Sequence, residues 1–404
     1  MRDLAPDSGG VTDAGARDAL ARALAGADLG RDDVVALLAS VPSTGALLRA
    51  AAARRDAAWG RTVTYSPKVF LPVTNLCRDR CTYCTFRKDP DDPDAWTMLP
   101  DEIRAWSERG RALGCREALL CLGDKPELAF RGYRETLAGL GHRTTADYVY
   151  RASVIALEAG LLPHTNAGIL TRDEMARLKE VNVSLGLMLE NVSPRLRERG
   201  QVHQWAPDKD PAVRLQMLRE AGELGIPFTT GLLIGIGETL AERADTLLAI
   251  RDLHREWGHV QEVIVQNFRA KPTIPRADAP EPTAVDLART ISVARLVLDA
   301  DVSVQAPPNL SPRDHALLLE AGLNDWGGMS PLTPDYVNPE APWPHVAALA
   351  DTCRAAGYAL AERLAIYPAY LDRPGFLAPA LGRPVAAHAA EIAGTTAPKE
   401  ALSA

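Results

Sequence analysis

The sequence is poor in the features that would send it to a membrane, to a nucleic acid or out of the cell. Lys and Arg number 45 against 52 Asp and Glu, for a net charge of −7. That balance offers no basic face to a nucleic acid or an anionic membrane, so neither partner is expected. No run of 18 apolar residues occurs, and no membrane span is expected. The opening residues, MRDLAPDSGGVTDAGARDAL, are acidic and small and lack an apolar h-region, so they do not read as a signal peptide. Cysteine is scarce, six in 404 residues, and the spacing is not that of a disulfide scaffold. A cytoplasmic location follows.

Three of those six cysteines lie together. Val69 to Phe86 reads VFLPVTNLCRDRCTYCTF, with Cys77, Cys81 and Cys84 spaced C-x3-C-x2-C. A structural zinc site needs four ligands, usually as two pairs. Here the next cysteine is Cys115 and the first histidine is His142. One [4Fe–4S] cluster held by three cysteines fits better, and it leaves one iron open for chemistry. A zinc-stabilised, non-enzymatic binding module is the alternative.

The composition, 47% hydrophobic and 24% charged, is that of an ordinary globular chain with room for one large or two small domains. Residues 1–30 are rich in Ala, Gly and Asp and read as partly disordered, and short helices are expected over 31–39 and 44–58. Apolar β-branched runs then alternate with amphipathic stretches. Strands are expected at 69–74, 117–122, 162–167, 182–189, 227–234, 260–268, 302–306 and 324–328. Helix starts are marked by a Thr171/Glu174 capping box, by Asp210–Pro211 and by Ser311–Pro312. Eight βα units predict an α/β fold, a (β/α)8 TIM-like barrel with an N-terminal helical extension and a C-terminal helix; a six-unit open barrel is the alternative. The expected divisions are 1–60, a flexible segment with capping helices; 61–342, the barrel; and 343–404, a long helix over 343–365 followed by a loose tail. Chemistry in such barrels occupies the C-terminal ends of the strands, where the first strand delivers its cysteines.

The cysteine spacing after an apolar strand, with Tyr83 before the last cysteine, resembles the radical S-adenosylmethionine (radical SAM) enzymes. That resemblance implies S-adenosylmethionine as second cofactor and a radical SAM barrel. It assigns Gly123 and Asp124, in CLGDKPE, to the amino end of S-adenosylmethionine, although the family's usual form is Gly-Gly-Glu. Glu190, at the end of strand four, falls where the family contacts the ribose or methionyl group, and Arg195, Arg197 or Arg199 is available for the carboxylate. A solvated helix face is the alternative for these arginines. Gly235 and Ile236, in GLLIGIGET, would pack on adenine, with Glu238 capping the next helix. Gln266 falls to adenine or substrate, as do Asn267 and Phe268. Cys115, Cys121 and Cys353 read as buried thiols.

TYSPKVFLPVTNLCRDRCTYCTF, CLGDKPE, LLIGIGET, VQNFRAKP and SPLTPDYVNPE together resemble the CofG-type subunits of FO synthase, from about Thr64 to Tyr370. The resemblance implies a lyase. A 5′-deoxyadenosyl radical takes hydrogen from an adduct supplied by a CofH-type enzyme or domain, the ring closes and ammonia leaves. The product is a deazaflavin, 7,8-didemethyl-8-hydroxy-5-deazariboflavin (FO), the precursor of coenzyme F-420. An electron donor is also needed and is not identified. Asp335 and Tyr336 are weak candidates for the acid or base, with Tyr65 and Lys68 equally open. A biotin-synthase-like or menaquinone-pathway radical SAM enzyme is the competing reading.

Overall fold

The computed structural model describes residues 13–396. Eight parallel strands close into a ring: β1 (Thr62–Pro72), β2 (Glu117–Cys121), β3 (Leu162–Asn166), β4 (Ser184–Gly186), β5 (Phe228–Ile234), β6 (Val260–Asn267), β7 (Ser303–Gln305) and β8 (Asp325–Met329). Closure rests on β1. It pairs with β2 from Lys68↔Glu117 to Pro72↔Cys121, and with β8 from Thr64↔Asp325 to Pro67↔Met329. The eighth unit therefore closes the barrel. β5 shows the setting of these strands: all seven of its residues are buried, Thr229 and Thr230 included, as in a parallel sheet covered on both faces.

The helix signals hold at Thr171 and Asp210, whose side chains accept from Glu174 N and Ala212 N. Ser311–Pro312 does not start a helix. Ser311 ends a short turn at Pro308–Leu310, and the next helix begins at His315 behind Asp314.

Three helices precede the barrel: α1 (Asp13–Leu24), α2 (Arg31–Ala39) and α3 (Thr44–Trp59). Partial disorder was expected over residues 1–30; within that stretch α1 buries Ala16, Ala19, Leu20 and Ala23, and residues 1–12 lie outside the described residues. These helices pack on the outer helical layer, α2 on Leu240–Trp257 and α3 on Ala284–Val297. The fully buried Arg55 fixes α3, donating to Leu319 O at 3.0 Å and Leu323 O at 2.6 Å and pairing with Asp56 at 2.7 Å.

The C-terminal segment differs from expectation. The helix covers only Val346–Ala355. Gly357, at φ +83°, ends it in the left-handed region, and Tyr358 N bonds back to Cys353 O at 2.8 Å, a helix-ending motif that needs glycine. A ninth strand follows, β9 (Ala359–Glu362), pairing with β1 outside the ring from Thr62↔Ala359 to Tyr65↔Glu362. The expected loose tail is packed as far as it is described. Leu364, Ile366, Tyr367, Phe376 and Leu381 cluster with Leu162 and Val183 at the strand starts, and a helix spans Gly382–Thr396. This segment plugs the bottom of the barrel and leaves the top as its opening.

Candidate active site

Past β1 the chain turns into the cysteine loop, held from three sides. Asn75 accepts from Trp96 N at 2.7 Å and donates to Asp94 O at 2.8 Å. Arg78 pairs with Asp208, and the amides of Arg80 and Thr82 donate to Trp205 O and Val202 O at 2.8 and 3.1 Å. From the β2 side, Asp124 N donates to Cys77 Sγ at 3.1 Å. That approach requires Gly123: a Cβ there would lie 2.0 Å from Leu76 O and 2.6 Å from Cys77 Cβ.

The three thiols line one cavity of about 370 Å³ that runs from the mouth down the barrel. Burial pushes the Cys77 thiol up to about 12 and raises Cys81 too, so the apoprotein holds both as thiols. As a set the three sulphurs are not within 4.8 Å of one another. Tetrahedral zinc, with Zn–S of about 2.3 Å, would need them about 3.8 Å apart. The donor set is wider than one ion and fits a polynuclear cluster.

Of the other expected residues, Tyr83, Gly123, Asp124, Glu190 and Gln266 line this cavity. Tyr83 shares a hydrogen bond with His203 Nε2 at 2.9 Å, and burial pushes His203 down to about 2. Asp124 Oδ1 accepts from Ile169 N at 3.0 Å. Burial, and then the Asp208 and Asp79 carboxylates, push Asp124 up to about 7 against the pull of Arg214. Glu190, at φ +64°, meets Lys209 at 2.8 Å inside the cavity.

Arg195 is not brought to the site. It pairs with Glu242 at 2.7 Å and donates to Gly237 O at 2.7 Å, outside the cavity wall. Arg197 pairs with Asp210. Gly235 and Ile236 also lie behind the wall. Ile236 is fully buried against Tyr83, Leu233 and Phe268, so its contribution to the cavity passes through Leu233 and Phe268, which do line it. Glu238 braces this turn and ties it to the helix that follows without capping that helix. It accepts from Gly235 N and Ile236 N at 2.9 Å and pairs with Arg243 at 2.7 Å, while Thr239 caps the helix.

Asp335 and Tyr336 both reach the cavity. Asp335 is a turn brace, accepting from Val337 N at 2.9 Å, Asn338 Nδ2 at 2.9 Å and Asn309 Nδ2 at 3.0 Å. The Tyr336 hydroxyl has no protein partner among the described residues, and burial raises it, with Cys121 adding to the effect. Tyr65 bonds Glu362 at 3.3 Å, away from the cavity. Lys68 lies inside it, paired with Glu117 at 2.7 Å. Cys115 and Cys353 are buried, but Cys121 lines the cavity alone.

Sequence reasoning missed Lys209, Arg214, His164, Glu117, Glu262, Gln305 and Arg363, all cavity-lining. No motif marks Lys209 or Arg214. The strand residues did carry a signal, polar side chains at inward-facing positions of strands that are otherwise largely apolar.

The radical SAM superfamily matches residues 71–250. The chain is 48% identical over 393 residues to the FO synthase of Nocardia farcinica, covering 94% of this chain but 45% of that protein. It thus spans less than half the length of that relative. It is 49% identical over 312 residues to the 7,8-didemethyl-8-hydroxy-5-deazariboflavin synthase of Methanopyrus kandleri, covering 77% of this chain and 93% of that one. Among solved structures, HydG, a maturase of the [FeFe]-hydrogenase, superimposes with a TM-score of 0.72 at 16% identity, over 88% of this chain and 78% of its own. That likeness concerns the fold.

Proposed function

We propose a function on the premise that this chain belongs to the 7,8-didemethyl-8-hydroxy-5-deazariboflavin synthase family of radical SAM enzymes. In this reading it is the lyase half of FO synthesis. It converts 5-amino-5-(4-hydroxybenzyl)-6-(D-ribitylimino)-5,6-dihydrouracil to the deazaflavin with loss of ammonia, toward coenzyme F-420. A CofH-type enzyme or domain supplies that substrate, and a separate donor supplies electrons in the cytoplasm. The observation that carries the reading is the gathering of three thiols, too widely set for one ion, at the mouth of a single cavity that runs down the barrel.

Cys77, Cys81 and Cys84 are the cluster ligands in this proposal. When bound, the cluster and S-adenosylmethionine supply hydrogen-atom abstraction through a 5′-deoxyadenosyl radical. The chain's own residues bind and shield. The Asp124 amide, aimed at Cys77 Sγ, stabilises negative charge on that sulphur. Glu190 and Lys209 offer opposite charges side by side, matching the ammonium and carboxylate of a methionyl group, and Lys209 takes the role that Arg195 cannot fill. Tyr83, Gly123 and Gln266 complete the cofactor wall, with Gly235 and Ile236 backing it. Phe70, stacked on Trp343 with centroids 5.3 Å apart, narrows the lumen against water. The unpartnered Tyr336 hydroxyl, kept protonated by burial, is the donor best suited to the departing amine.

The test is anaerobic reconstitution followed by dithionite and S-adenosylmethionine, with and without the product of a CofH reaction. Chromatography follows 5′-deoxyadenosine, and fluorescence follows deazaflavin. Both should rise with that substrate and vanish in Cys81→Ala. Formation of 5′-deoxyadenosine without deazaflavin would defeat the substrate assignment. Iron near four per chain, not six or eight, separates this reading from a sulphur-inserting relative with a second cluster.

A further inference from the structure

Barrel interiors of this kind are ordinarily packed with branched aliphatic layers. Here the inward positions of six strands hold polar side chains: Lys68, Glu117, His164, Thr229, Glu262 and Gln305 all line the cavity. Register sets Lys68 beside Glu117 and Thr229 beside Glu262. Two glycines in β8 leave the space these side chains occupy. A Cβ on Gly327 would lie 1.7 Å from Gln305 Nε2, and one on Gly328 would lie 1.9 Å from Lys68 Cε. The lower lumen is a built polar chamber.

Its charges are already matched. Lys68 pairs with Glu117 at 2.7 Å, and Arg363 pairs with both Asp325 and Glu262 at 2.6 Å. Burial raises Glu262, which brings the group closer to neutrality. At this level of the lumen an anionic ligand would find every cation already paired, and two acidic side chains, Glu117 and Glu262.

Three polar groups remain for a ligand, on residues only 6–8% exposed. Lys68 Nζ keeps N–H donors beyond its bond to Glu117. The Gln305 amide lies at the cavity wall and is not engaged by the hydrogen bonds that brace its neighbours. His164 Nδ1 is 2.6 Å from Ser184 Oγ, which donates its own proton to Ala365 O at 2.7 Å. His164 Nδ1 therefore carries the ring hydrogen and Nε2 is left as an acceptor. Donors and acceptors without net charge are what a row of hydroxyls requires.

We propose that the chamber formed by Lys68, His164 and Gln305 binds the neutral polyhydroxyl chain of the substrate and rejects its phosphate ester. The assignment rests on the function proposed above, since the product named in the relatives is a riboflavin analogue and carries a ribityl chain. It sets the ligand's direction: hydroxyls at the closed end, reacting ring toward the cysteines.

The test is equilibrium binding, with no turnover needed. The full chain, reconstituted without oxygen, is titrated with 7,8-didemethyl-8-hydroxy-5-deazariboflavin and, separately, its 5′-phosphate, followed by deazaflavin fluorescence. The neutral compound should bind at least tenfold tighter than the phosphate. Gln305→Leu should weaken the neutral compound by about tenfold, the order of one lost buried hydrogen bond, and leave the phosphate unchanged. His164→Gln, checked by its melting temperature, serves if Gln305→Leu does not fold. Equal or tighter binding of the phosphate, wild-type affinity in both variants, or no binding of the neutral compound would each overturn the proposal. If the neutral compound binds as described but the enzyme makes no deazaflavin, the parent function fails and the chamber stands. If deazaflavin is made and both variants bind like wild type, the chamber alone fails.

Discussion

The Glu190 carboxylate and the Lys209 ammonium meet at 2.8 Å within the cavity, their side chains 10% and 13% exposed. They lie nineteen positions apart in sequence. The loop carrying Lys209 returns beneath the cysteines because Asp208 pairs with Arg78 and Trp205 O accepts from Arg80 N. Glu190 holds a left-handed backbone, φ +64°, uncommon outside glycine. Such a conformation persists where its surroundings over-determine it.

Lys209→Met should weaken S-adenosylmethionine binding tenfold or more, because it removes a charge from the cavity and leaves Glu190 buried without its partner. Arg195→Met should change that affinity less than threefold, since Arg195 is already engaged with Glu242 outside the wall. Isothermal titration of the reconstituted protein separates the two. Equal losses would return Arg195 to the site.

Iron retention should divide the cysteines. Replacing Cys77, Cys81 or Cys84 by alanine should lose the iron and its visible absorption. Cys115→Ala and Cys353→Ala should keep both, because those thiols are fully buried away from the cavity. Metal analysis after desalting is the measurement.

Arg55→Ala should cost about 3–5 kcal/mol in denaturant unfolding, the range for breaking a buried ion pair. The side chain is fully buried, and its loss would take a donor from each of the Leu319 and Leu323 carbonyls and remove a cation stacked 4.1 Å from the Tyr358 ring. A loss below about 1 kcal/mol would put α3 among dispensable appendages.

Burial pushes His164 down to about 4, so the unfolded chain binds a proton there that the folded protein refuses. Stability is therefore lost as pH falls from about 6.5 toward 4. At pH 5 the deficit against pH 8 is about 2 kcal/mol. His164→Gln should remove that part of the acid sensitivity, so its stability relative to wild type should rise by a similar amount between pH 8 and pH 5. Parallel curves for the two proteins would contradict a neutral His164.

Most of the barrel strands were legible as apolar runs set between helical stretches. The eighth was the faintest. Its WGGM core lacks alternation because Gly327 and Gly328 are there to make room for Gln305 and Lys68, a demand of neighbours distant in sequence. Residues 343–365 misled for a related reason. Their alanine-rich composition favours a helix throughout, whereas pairing with Thr62–Tyr65 pulls Ala359–Glu362 into a strand. The cysteine motif brings three thiols to one cavity wall because its spacing is local. Choosing among the cations after Glu190 was not local: three arginines follow it closely, and the one that arrives is a lysine carried in by tertiary folding.

Arg363 lies just after β9, beyond the last stave of the ring, yet it neutralises Asp325 and Glu262 inside the lumen. During synthesis the eight staves emerge before it does. A nascent barrel halted at residue 340 would have every wall in place and two unanswered acids at its centre. The counter-ion for both acids is delivered from outside the ring, which makes the segment after β9 a keystone of the lumen.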